Sequence, residues 1–183
     1  GTIVIMSLHE VDLAMKISDE LLCLDGEKVA ACGTPEQILS SDTIRALYDI
    51  RSGSYNCLFG SVELPKPAGD PQVFVLAGCG RGTNFFRALQ KKGIPFAAGI
   101  LFENDVDCQT ADVLSDHVVK AAAFEPISDK VLEQAKKILI RCSYVLNAGT
   151  VIGSLNRANQ ELLDFAAENK IPVYTDIQEG PKA

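Results

Sequence analysis

The residues best suited to chemistry lie in one short run, Gly78-Cys79-Gly80-Arg81-Gly82-Thr83. The run follows an apolar stretch, Val73 to Ala77, and leads into a helical pattern. At such a junction, backbone amides and the helix dipole favour a bound anion, and glycines let a ligand approach the main chain. Glu103 stands 21 positions after Gly82, at the end of the next apolar run. In a dinucleotide site an acid placed there holds a ribose hydroxyl. The spacing, however, is G-x-G-x-G, with Thr83 where a third glycine belongs. The same run therefore also fits a strand-to-helix turn that needs glycine geometry alone.

Other groups converge on the same region. Arg81 and Arg87 can each hold a phosphate or carboxylate through two N–H bonds, or serve as solvated surface charges. Glu103, Asp105 and Asp107 can offer oxygens to Mg²⁺, or Asp105 or Asp107 can cap the next helix. A second glycine-bearing run, Gly149-Thr150-Val151-Ile152-Gly153, with Asn156, Arg157 and Asn159, enters the last helix. It either completes a pocket with the first loop or is capped by Ser154. Cys79 has no base near it in sequence and is no nucleophile candidate. His117, near a helix end, reads as a capping or surface residue.

The elements that must position these groups alternate strand and helix from Gln72 onward, the mark of a parallel α/β sheet. Strands are expected at Val73–Ala77, Phe96–Phe102, Val118–Phe124, Tyr144–Ala148 and Ile171–Tyr174. Helices are expected at Asn84–Lys92, Asp107–Asp116, Lys130–Arg141 and Asn156–Asn169. This is a five-stranded Rossmann-like or flavodoxin-like α/β domain over 72–183, with the glycine loops and Glu103 on one rim.

Residues 62–71, VELPKPAGDP, hold three prolines and a glycine and read as a stiff, extended linker. Before it, residues 1–61 read as a buried strand (Ile3 to Met6), a helix with Val11, Leu13, Ala14 and Ile17 on one face, and a hairpin through Asp25-Gly26. Thr34 then caps a helix with Pro35 at its first position. Ile38, Leu39, Ile44, Leu47 and Tyr48 supply apolar positions there, and Tyr55 to Phe59 forms a final strand. So small a piece with an unpaired strand is expected to self-associate, swap or pack on the second domain.

Composition narrows the classes further. The 183 residues are 47% hydrophobic and 22% charged, an ordinary globular balance. A net charge of −7 argues against nucleic acid and against anionic lipid surfaces. No run approaches the length of a membrane span, and no signal peptide is evident. Six cysteines without a C-x-x-C pair are expected to be reduced, mostly as small core hydrophobes, and only two histidines accompany them. No metal site is expected.

The opening residues add a family likeness. TIVIMSLHEVDLAMKISDELLCLDGEKVAACGTPEQIL resembles the end of the nucleotide-binding domain of ABC transporters, from the switch histidine onward. The likeness is greatest to importers of iron siderophores, haem and cobalamin. It implies that His9 corresponds to the histidine that reaches the γ-phosphate of ATP. It also implies ATP and Mg²⁺ in an intact ATPase, transmembrane and second ATPase subunits as partners, and a place on the cytoplasmic face of the membrane. The chain contains no Gly-Lys dipeptide for a phosphate loop and no LSGGQ signature. It is therefore expected not to hydrolyse ATP alone and to bind no nucleotide at His9. The likeness is expected to end near Leu64. Past it stands a domain with an unknown ligand, either a regulatory module or a structural, dimerising one.

Overall fold

The computed structural model describes residues 1–38, 54–56 and 61–179. The chain divides into Gly1–Leu64 and Pro65–Ala183.

In the first unit, helix α1 (Val11–Ile17) precedes an antiparallel hairpin of β1 (Leu21–Asp25) and β2 (Lys28–Gly33). Gly26 turns the hairpin at φ 58°, the left-handed region that glycine enters without strain. The short helix α2 (Pro35–Ile38) starts at Thr34, whose amide donates to the Gln37 side chain at 3.1 Å, the reach-back half of a capping box. Strands β3 (Ser54–Asn56) and β4 (Ser61–Glu63) pair antiparallel.

The expected strand over Ile3 to Met6 does not form. Ile3 and Ile5 are 88% and 94% exposed, with Val4 and Met6 also in solvent. A strand exists only through ladder bonds to a neighbour, and no described strand pairs with this segment. The readings of Leu39, Ile44, Leu47, Tyr48, Cys57, Leu58 and Phe59 lie outside the described residues.

The second unit is the alternating half. Its strands are β5 (Val73–Leu76), β6 (Phe96–Phe102), β7 (His117–Ala121), β8 (Tyr144–Asn147) and β9 (Val173–Tyr174). Its helices are α3 (Thr83–Lys91), α4 (Val106–Leu114), α5 (Asp129–Leu139) and α6 (Ala158–Glu168). All five strands are parallel, in the order β7-β6-β5-β8-β9. Counted within the unit this is 3-2-1-4-5, the Rossmann order, whereas flavodoxin-like sheets run 2-1-3-4-5.

Successive residues of β5 point to opposite faces of the sheet. Val73 and Val75 pack with Phe86 and Leu89 of α3 and Cys108, Ala111 and Leu114 of α4. Phe74 and Leu76 pack with Leu132, Ala135 and Leu139 of α5 and Leu162 and Ala166 of α6. The sheet is buried on both sides, which is why its strands read as continuous apolar runs.

The proline-rich stretch follows the second unit closely. Lys66 pairs with Asp116 at 3.0 Å, and Asp70 with Arg141 at 2.9 Å. The His117 Nε2 atom lies 3.4 Å from the Gly69 carbonyl oxygen, and the Gln72 amide donates to that of Pro95. The third strand is shorter than expected and stops at Ala121. Phe124 instead stands in the following loop with φ 65° and is 81% exposed. Among the described residues, no helix is long and apolar enough to cross a membrane.

Candidate functional site

The strand order reverses between β5 and β8, and open α/β sheets bind ligands beyond the C-terminal strand ends at such a switch point. The two loops at that switch point are the two glycine runs. Gly78 to Gly82 leaves β5, and Gly149 to Gly153 leaves β8.

Side chains stitch them together. An Arg81 Nη1 hydrogen is donated to the Gly149 carbonyl at 2.8 Å, and the Thr150 hydroxyl to that of Gly78 at 3.3 Å. Gly78, Gly80 and Gly149 all hold positive φ. Behind the second loop, Asn156 accepts from the Gly153 amide at 2.6 Å and donates to the Val151 carbonyl at 2.9 Å.

The glycine loop is also filled from its other side. Asp105 caps α4 by accepting the Asp107 amide at 2.9 Å, and its second oxygen accepts the Cys79 amide at 2.7 Å. Asp107 is fully buried and accepts the Gly82 amide at 2.9 Å and the Thr83 hydroxyl at 3.3 Å. Two amides that a phosphate would use are therefore met by the chain's own carboxylates. Gly82 carries a packing role as well. A Cβ there would lie 2.5 Å from the Phe86 ring and 2.6 Å from Ala77.

Gly78, Gly80, Arg81, Gly82, Thr83, Gly149 and Thr150 thus lie on two hydrogen-bonded loops at the C-terminal ends of β5 and β8. Glu103 is joined to the glycine loops by no hydrogen bond among the described residues. Its amide donates to the Ala121 carbonyl at the end of β7, and the acids that reach the glycine loop are Asp105 and Asp107. Ser154 caps nothing, because α6 begins four residues later with no side-chain cap. Asn159 leaves the loop group for the core, where it bonds the main chain of Ile100. His9 is exposed just before α1, in the first unit.

Cys108 and Cys142 are buried, and Cys32 and Cys79 are exposed. Burial, reinforced by the nearby Asp112 carboxylate, pushes the Cys108 thiol up to about 11. Burial likewise pushes Cys142 up to about 12. Neither is a thiolate at neutral pH. Among the described residues no cluster of His, Cys, Asp and Glu is grouped to hold a metal ion.

Comparison with known proteins adds several likenesses. The model of the MJ0874 family matches residues 96–182, entirely within the second unit. An uncharacterized ABC transporter ATP-binding protein of Methanocaldococcus jannaschii, MJ0873, is 31% identical over 54% of this chain and 34% of its own length. The cobalamin import ATP-binding protein BtuD of Halobacterium salinarum is 29% identical over 78% of this chain and 38% of its own. The hemin import ATP-binding protein HmuV of Bradyrhizobium diazoefficiens is 40% identical over 27% of this chain and 19% of its own. The chain is homologous to ABC transporter ATP-binding proteins. It spans about a third of the length of the first two of these relatives and less of the third. No solved structure matches it.

One expectation is corrected here. A match to the halobacterial ABC protein over 78% of the chain cannot fit inside a first unit that ends at Leu64 of 183 residues. The ABC likeness therefore continues into the Rossmann unit. The opening motifs could not reveal this, because they lie wholly within the first unit.

Proposed function

We propose that this chain is the C-terminal part of the ATP-binding subunit of an ABC importer for a metal chelate, such as an iron siderophore, haem or cobalamin. Its second unit is a ligand-binding regulatory module. The observation that carries the reading is the single alignment to a cobalamin import ATP-binding protein that runs through both units.

In this reading the intact protein binds ATP and Mg²⁺ and pairs with a second ATPase subunit. It works beneath transmembrane subunits on the cytoplasmic face. His9 donates a hydrogen bond to the γ-phosphate, while the phosphate loop comes from outside these 183 residues. Histidine suits the role because its ring donates in either protonation state. The ligand of the second unit sits between the two glycine loops, at Gly78, Gly80, Arg81, Gly82, Thr83, Gly149 and Thr150, with Glu103 at the edge of the same rim. The competing reading is a structural or dimerisation domain, which the packing of Gly82 against Phe86 favours.

Two measurements on the intact subunit test the proposal. His9→Ala is expected to lower ATP turnover at least about tenfold, as loss of a transition-state hydrogen-bond donor does. Unchanged turnover would remove His9 from the ATPase. A thermal-shift screen of chelates and cofactors addresses the second unit. A ligand at 100 times its dissociation constant adds about 2.7 kcal/mol, a melting shift of several degrees. No shift with any compound leaves the structural reading.

A further inference from the structure

We propose that residues 65–69 form a releasable strap, latched by Lys66 to Asp116 along the N-terminal edge of the parallel sheet and pivoting at Gly69. The strap lies at the opposite edge from the glycine loops, which leave the C-terminal ends of β5 and β8. It works whether or not those loops hold a ligand.

The chain from 65 to 72 changes character at Gly69. On the C-terminal side it is built into the sheet. The Gln72 amide donates to the Pro95 carbonyl at 2.9 Å, ahead of β6, and the Gln72 carbonyl accepts the Ser143 amide at 2.8 Å, ahead of β8. These bonds extend the ladders that begin at Val73, and Pro71 beside them is buried. Asp70 pairs with Arg141 on this same side.

On the N-terminal side the chain crosses to the start of β7 and is held by side chains. Lys66 Nζ donates to Asp116 at 3.0 Å, and His117 Nε2 lies 3.4 Å from the Gly69 carbonyl oxygen. Among the described residues no amide of 66–69 donates to another backbone carbonyl, and prolines have no amide to give. The Lys66 and Asp116 side chains are 35% and 66% exposed, and a pair so wetted shifts an equilibrium about fivefold at most. The outer half is thus held weakly enough to leave. The inner half is not, because detaching Gln72 breaks two ladder bonds at once.

Gly69 stands between the halves with φ 110°, where an L side chain is strained. A Cβ there would touch only the Pro95 ring, at 3.9 Å, so the bend belongs to the backbone and not to packing, as suits a pivot. Pro65 and Pro67 favour extended backbone and keep the outer half a short rod. Released, residues 66–69 add about 3.1 Å each, or about 12 Å, to the free tether ahead of the second unit. Salt favours release, because it screens the latch.

The chain has no tryptophan, so Ala68→Trp, at an exposed position of the strap, gives a sole reporter in the 183-residue chain. Its fluorescence anisotropy reads attachment. Adding Asp116→Lys is expected to raise the detached fraction up to about fivefold and lower the anisotropy. The swap of Lys66→Asp with Asp116→Lys should restore it. Salt should lower the anisotropy of the reporter chain but not that of its Asp116→Lys variant. Gly69→Ala should detach the strap with the latch intact, since only the attached form demands φ 110°. The second unit should melt within a few degrees of its original temperature in every variant.

Anisotropy indifferent to Asp116→Lys, or lowered by it and not restored by the swap, overturns the latch. Anisotropy unchanged in Gly69→Ala overturns the pivot. Melting that falls far beyond a few degrees in Asp116→Lys overturns release itself, because it makes 65–69 a fixed part of the folded unit.

Discussion

Cys108 and Cys142 link residue chemistry to the stability of the second unit. Each thiol is buried against the sheet, one on each face, and burial disfavours the thiolate. An unfolded thiol titrates near 8.5, whereas these hold their protons to about 11 and about 12. Below pH ~8.5 both states are protonated, and the full stability is present. As pH rises further the unfolded chain loses protons first, so stability falls until the folded thiols also ionise. The slope is about 1.4 kcal/mol per pH unit for each thiol. Tyr144, raised by burial and by Tyr174, acts in the same direction higher up. Urea midpoints should therefore decline from about pH 8.5 upward, and Cys142→Ala should flatten the decline. A decline identical in Cys142→Ala would show that this thiol is not the titrating group.

At the scale of elements, the alternation of apolar runs with helical patterns places all five strands of the second unit and its four helices within a few residues. Continuous apolar runs are what a doubly covered parallel sheet requires, so the pattern is legible there. The strand order is not, because it depends on which neighbour each strand chooses, and that choice rests on packing across sequence distance. The glycine loops are legible as site candidates for the same reason as the strands: they end apolar runs and begin helices. Their internal occupation by Asp105 and Asp107 is not, because capping a local helix and reaching a distant loop look identical in sequence.

Asn159 is the sharpest case. By residue type and position it belongs with a polar loop. In the fold it accepts the Ile100 amide at 3.2 Å and donates to the Ile100 carbonyl at 3.4 Å. The register of β6 against β7 breaks between Ala98 and Leu101, so this peptide lacks regular ladder partners. Asn159→Leu should cost about 1–3 kcal/mol for each backbone group left buried and unpaired. Urea denaturation would read the loss, with faster amide exchange at Ile100. Wild-type stability in that variant would mean that the clamp contributes nothing.

At the scale of the whole molecule, the two units differ in how they bury apolar surface. The second has two extensive apolar clusters, one on each face of a five-stranded sheet. Among the described residues of the first, Ile38 alone is a buried aliphatic, while Ile3, Val4, Ile5, Leu22, Leu24 and Val29 are exposed. Among the described residues β1 and β2 form a sheet of two strands, so each has an edge with no strand partner there. A hairpin alone is marginal, and an apolar strand-like segment beside open edges is a template for pairing between chains. Association lets Ile3 to Met6 gain the ladder bonds and burial that they lack within one copy. The net charge of −7 opposes this weakly, and added salt screens it. The chain of 19.7 kDa is therefore expected to exceed its monomer mass in light scattering as concentration rises, more so at high salt. Ile3→Lys with Ile5→Lys should restore a monomer without changing the melting of the second unit, because neither residue belongs to its core. A mass fixed at one chain across concentration would show that the exposed segment is tolerated as it stands.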